Sequence, residues 1–109
     1  MKGKVACKPV DAIEGIVYNN EKNDKLVYEN KHYILVAEET NPDMLDLIIN
    51  AKAVITEIGG ILSHAAIVSR EFNIPCIVGI PDVTSNLNSG DYILMNLNLG
   101  EVFIKEDTD

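Results

Sequence analysis

Apolar positions change their spacing along the chain, and the changes mark the elements. Residues 13–18 (IEGIVY) read as a strand with Gly15 inside it, at a point where another backbone comes close. NNEKND (19–24) is a polar turn, and residues 26–29 and 33–37 are further strand candidates, the second rich in β-formers. The period then becomes helical. TNPDMLDLIINA opens with Thr40 or Asn41 as N-cap and Pro42 at the first helical position, and Asp43 suits the positive end. Met44, Leu45, Ile48 and Ile49 recur at helical spacing, which predicts a helix over about 42–51 with these four in the core.

AVIT (53–56) reads as a short buried strand. HAAIVSREFN predicts a second helix over 64–73, capped by Ser63, with Asn73 in the left-handed terminating position and Pro75 blocking continuation. CIVGI (76–80), YILMN (92–96) and EVFI (101–104) are further strands, separated by the turns NSGD and NLG. Strands dominate around two central helices. The fold class is therefore α+β, a layered β/β/α arrangement rather than a doubly wound sheet, with one βαβ unit around 53–80.

A length of 109 residues suits one domain spanning 1–109, and 47% apolar residues supply a core. Seventeen acidic against nine basic residues give a net charge of −8, which argues against nucleic acid and anionic membrane as partners but not against a small anionic ligand at one local site. No run reaches the roughly 18 apolar residues of a membrane span, and the first residues lack the apolar stretch of a secretory signal. Cys7 and Cys76 are far apart and form no CxxC, so they read as two reduced thiols of a cytoplasmic protein. Two cysteines and two histidines so scattered offer no zinc spacing, and no metal site is expected.

The chemistry concentrates at GGILSH (59–64), between a strand and a helix start. A glycine pair leaves backbone N–H groups unshielded, and the first turn of a helix adds more. Together they favour an anion. The helix dipole there disfavours imidazolium, so His64 is expected to present a ring lone pair: a neutral nucleophile beside anion-binding amides, as phosphoryl transfer to nitrogen needs. The same residues also read as an ordinary turn, cap and polar first-turn residue. His32, in YENKHY, reads as a surface residue. Asp43 and Asp46, one helical turn apart, read as solvating the first helix rather than as metal ligands.

Read as a whole, TEIGGILSHAAIVSREFNIPCIVGI (56–80) resembles the signature of the phosphohistidine swivelling domain of the phosphoenolpyruvate-utilising enzymes, T-E-x-G-G-x-x-S-H-A-A-I-x-x-R-E-x-x-I-P-x-(I/V)-V-G. ETNPDM (39–44) is similar to that family's T-x-P-D helix start, and SGDYILMNLNLGEVF (89–103) to its closing hairpin, so the resemblance covers roughly residues 9–104. It implies a β/β/α domain that swings between a nucleotide-binding domain (ATP-grasp-like) and a phosphoenolpyruvate/pyruvate-binding barrel. His64 would carry the phosphoryl group. Gly59, Gly60 and Ser63 would shape the phosphohistidine loop, and Thr56 and Glu57 would anchor it. Arg70, about 9 Å along the helix, matches a family arginine with a structural or docking role.

The domain itself would bind no cofactor, with Mg²⁺ expected on the partner domains. It would be one component of a phosphotransferase, not a complete enzyme: a stand-alone carrier or a part of a longer chain.

Leu62 replaces the threonine that several relatives carry two residues before the histidine. In plant-type dikinases that threonine is a regulatory phosphorylation site, so that regulation is not expected here. Asn96 stands where relatives often have aspartate, at a position that reads as turn geometry, and Cys76 replaces a common small residue. Two other readings compete with the carrier: a binding or regulatory module that keeps the fold but transfers nothing, and a swivelling domain of another class, such as certain dehydratases, which SHAAIVSRE argues against.

Overall fold

A computed structural model of the chain describes residues 1–22 and 32–105. The strand expected at 26–29 lies outside the described residues. Seven strands form one mixed sheet: β1 (Lys4–Cys7), β2 (Ala12–Asn19), β3 (Ile34–Ala37), β4 (Ala53–Thr56), β5 (Cys76–Val78), β6 (Tyr92–Asn96) and β7 (Glu101–Ile104). Their spatial order is β1-β5-β4-β3-β2-β6-β7. The middle of the sheet, β5-β4-β3-β2, is parallel; β1 joins β5, and β6 joins β2 and β7, antiparallel. Among the described residues three helices interrupt it: α1 (Leu45–Ile49), entered through a 3-10 turn at Pro42–Met44, α2 (His64–Phe72) and α3 (Val83–Asn86).

The α+β expectation holds. Two βαβ units are present where one was expected, since β3 and β4 flank α1 just as β4 and β5 flank α2, each pair lying parallel and adjacent.

Residues of β3, β4 and β5 are buried on both faces, as parallel central strands require. Ile34, Val36, Ile55 and Ile77 face the concave side, where they meet Ile93, Met95 and Val102 of the antiparallel half, Val83 of α3 and Leu87 just after it. Leu35, Val54, Cys76 and Val78 face the other way, against Ile48 of α1 and Ala65, Ala66 and Val68 of α2. The sheet thus curls over its own core while the two longer helices cover one outer face, which is the β/β/α layering.

The two ends of the sheet meet at a seam. Lys2 bridges Glu101, Gly3 N–H donates to the Gly100 carbonyl at 2.9 Å, and Val102 N–H donates to the Met1 carbonyl at 2.8 Å. A Cβ on Gly3 would stand 2.4 Å from the Val78 carbonyl oxygen; one on Gly100, whose φ is +70°, would stand 2.6 Å from the Gly3 carbonyl oxygen. Only glycine lets the backbones close to this distance.

Several local expectations need correction. Gly15 faces the side chains of Ile34 and Lys52, not another backbone. Asn19 opens the expected turn, its carbonyl accepting from Lys22 N–H at 3.1 Å, but it also ends β2 fully buried, its amide donating to the carbonyls of Thr84 (2.9 Å) and Leu87 (2.8 Å) and so holding α3. The first helix stops at Ile49, not 51, and Asn41 caps its entry by accepting from Asp43 N–H at 3.0 Å. An element that short buries one narrow edge, so Met44 and Ile48 are core while Leu45 and Ile49 remain about two-fifths exposed (both 42%). Sequence reading missed both β1 and α3.

Candidate functional site

β4 delivers the chain to the loop at 57–63, and α2 carries it away. Glu57 N–H donates to the Ala37 carbonyl (3.1 Å) and Ile58 N–H to that of Glu38 (2.8 Å), so the loop leaves the end of a central strand while still paired to the chain after β3. Its first glycine is a conformational necessity: Gly59 has φ +121°, and a Cβ there would lie 3.0 Å from Ser63 Cβ. Gly60 differs, since nothing stands within 4 Å of where its Cβ would be. Ser63 occupies the N-cap position with extended dihedrals, but its hydroxyl makes no capping bond. It donates instead to the Gly60 carbonyl at 2.7 Å, tightening the loop and leaving the first-turn N–H groups of α2 without that side-chain partner. At the far end Asn73 terminates α2 in the left-handed conformation (φ 56°), as expected.

His64 is the first residue of α2 and is half-buried. Its Nδ1 lies 2.8 Å from Thr40 Oγ1, across 24 positions of sequence. This contact is the residue assignment that sequence reading missed. Thr40 was a capping candidate, yet Asn41 caps, and the Thr40 side chain turns to the imidazole. The available signal was the T-x-P-D stretch itself, whose threonine needed some role other than the cap. One imidazole nitrogen thereby has a hydroxyl partner, which orients the ring.

The other expected residues lie around this pair without all converging on it. Arg70 braces the loop from behind: its guanidinium donates to the Ile61 carbonyl (2.6 Å) and to the Ala6 carbonyl at the end of β1 (3.3 Å). Glu57 points away from His64. Its Oε1 accepts from Thr84 Oγ1 (2.7 Å) and Thr84 N–H (3.1 Å), tying the loop to α3, and these bonds hold its carboxyl below the usual carboxylate range. Thr56 is buried; among the described residues its hydroxyl has no hydrogen-bond partner, while its carbonyl accepts from Ile80 N–H at 3.0 Å. Ile61 and Leu62, 54% and 80% exposed, stand beside His64 as unpaired apolar surface. Among the described residues no group of three or more His, Cys, Asp or Glu is placed to hold a metal ion, Asp43 and Asp46 included. His32 is exposed, in a left-handed turn (φ 64°).

Residues 29–100 match the family of the PEP-utilising enzyme mobile domain. The chain belongs to that family. Phosphoenolpyruvate synthase of Pyrococcus furiosus is 47% identical over 70 residues, which are 64% of this chain and 9% of that protein. Probable phosphoenolpyruvate synthase of Archaeoglobus fulgidus is 36% identical over 108 residues, covering 94% of this chain and 14% of that protein. The chain thus spans a small fraction of the length of these relatives.

Among solved structures, the solution structure of an Enzyme I protein matches with a TM-score of 0.61 and 26% identity over 74% of this chain and 34% of that one. Aconitase X of Thermococcus kodakaraensis in its holo-form matches with a TM-score of 0.69 over 96% of this chain and 97% of that one. At 18% identity the latter likeness is one of fold alone. Among the described residues no helix is long and apolar enough to cross a membrane.

Proposed function

We propose that this mobile domain is a phosphoryl carrier, with His64 Nε2 as the atom that accepts and returns the phosphoryl group. The observation that carries the reading is the 2.8 Å contact between Thr40 Oγ1 and His64 Nδ1 at the start of α2. In the reactive tautomer Nδ1 holds the proton and donates it to Thr40 Oγ1, so the lone pair sits on Nε2. Attack on the phosphorus of phosphoenolpyruvate forms the N–P bond and breaks the P–O bond, and enolpyruvate leaves with the electron pair. Positive charge grows on the ring during the step, which strengthens the Nδ1–H···Oγ1 bond, while first-turn N–H groups face the phosphoryl oxygens. The reverse attack by an acceptor discharges the domain.

Thr56, Glu57, Gly59, Gly60, Ser63 and Arg70 act on loop shape in this scheme. Ile61 and Leu62 supply apolar contact to the partner components, a phosphoenolpyruvate/pyruvate-binding barrel and a nucleotide-binding domain of the ATP-grasp kind. Mg²⁺ belongs to those partners. A cytoplasmic setting suits such partners.

The test mixes the domain with the phosphoenolpyruvate-binding component of a relative, phosphoenolpyruvate and Mg²⁺. An acid-labile adduct of about 80 Da, one phosphoryl group replacing a proton, is expected on the wild type and absent from His64→Ala. Absence of the adduct where the relative's own mobile domain is labelled would instead favour a module that binds without transferring.

A further inference from the structure

Cys7 and Cys76, 69 positions apart in sequence, are opposed in the sheet. Cys7 of β1 and Cys76 of β5 are direct antiparallel partners, reached through an irregularity between Val5 and Cys7. Directly opposed residues of an antiparallel pair send their side chains to the same face, with Cα atoms about 4.5–5.5 Å apart. A disulfide needs about 4.4–6.8 Å. Both residues pack in the cluster between the sheet and α2, in keeping with that register. The two thiols differ in access: Cys76 is fully buried and Cys7 half-buried.

We propose that Cys7 and Cys76 form a reversible thiol–disulfide site that exchanges with small disulfides such as oxidised glutathione. Cys7 reacts first because reagents reach it. Its thiolate attacks one glutathione sulfur, a Cys7–glutathione disulfide forms, and one glutathione leaves as thiolate and takes up a proton. Cys76 then gives up its proton and attacks Cys7 Sγ, and the second glutathione departs. Two protein thiols and one glutathione disulfide become one protein disulfide and two glutathione thiols.

Burial pushes the Cys76 thiol up to about 12 and raises Cys7 as well, against the opposing charge of Arg70, so exchange quickens as the pH rises. The cross-link would pin β1 to β5 beside Ala6, whose carbonyl Arg70 holds together with that of Ile61 in the His64 loop. The oxidation state of the pair is therefore set one side chain away from that loop.

The experiment places the full chain in graded mixtures of oxidised and reduced glutathione, quenches with acid, alkylates under denaturing conditions and reads intact mass. The wild type is expected to lose both alkylation sites together and to retain no glutathione. Cys76→Ala should keep one glutathione on Cys7, and Cys7→Ala should take up none in the same interval. Digestion of the oxidised wild type should yield a peptide linking Cys7 to Cys76, a readout that needs no variant to fold. A stable glutathione adduct on wild-type Cys7 with Cys76 still alkylated, or linkage only between separate chains, would overturn the proposal.

Discussion

Two regions of this domain are built on glycine for opposite reasons. At the seam, Gly3 and Gly100 bring backbone against backbone, and a Cβ at either would overlap a carbonyl oxygen. In the His64 loop, Gly60 has open space where its side chain would stand. The seam glycines serve closure of the sheet, which the fold needs whether or not anything binds. Gly60 leaves open space in the loop before His64 that the folded chain itself does not use. One residue type thus answers to close packing in one place and stands free of it in the other, where the proposed carrier role would use the room.

The sharpest way to break this contrast is at the seam. Gly100→Ala should destabilise by more than about 2 kcal/mol, because the clash is with backbone and the dihedral is left-handed, and Gly3→Ala should behave alike. Denaturant unfolding checks it, and a loss under about 0.5 kcal/mol would mean that the seam gives way easily.

Next in size is Thr40→Val, which removes the partner of Nδ1 while nearly keeping the side chain's volume. One hydrogen bond of ordinary strength, felt in the transition state, corresponds to about a tenfold slower labelling of His64. Single-turnover labelling measures this, and an unchanged rate would show that the contact does not orient the ring.

Gly60→Ala should leave stability within about 0.5 kcal/mol of wild type, or raise it slightly through the unfolded chain, while labelling by the partner falls. A clear loss of stability would place Gly60 with the seam glycines and erase the distinction.

The smallest effect concerns Glu57. Its carboxyl is held below the usual carboxylate range by the Thr84 bonds, so the folded state binds its proton less readily than the unfolded chain does. Its contribution is present above about pH 4.5 and is lost as the pH falls through the lowered folded value. Glu57→Gln should flatten that part of the stability profile, and an identical acid limb in the variant would mean that the Thr84 bonds do not persist in solution.

Much of the layout was legible along the chain because it is locally encoded. β4, β6 and β7 stand where the apolar runs placed them, and α2 begins at His64 and ends at a left-handed Asn73. Asn96 does shape its hairpin, its Oδ1 accepting from the N–H groups of Asn98 (2.9 Å) and Leu99 (3.1 Å). Each of these outcomes depends on residues within a few positions. Ser63 shows where such reasoning stops. It sits at the cap position, but its hydroxyl had a choice of partners, and the loop's path gave it the Gly60 carbonyl.

What the sequence determined by itself was the order of elements and the placing of a histidine at the mouth of a helix, because period, capping and turn chemistry act over single turns and strands. Tertiary structure alone decided that Thr40 meets that histidine, that Asn19 is buried against α3, that Cys7 faces Cys76, and that the sheet closes at Gly3 and Gly100. Those contacts join residues 24 to 97 positions apart. No local preference selects them; they follow from the sheet's register and curl, which the packing of two apolar clusters sets as a whole.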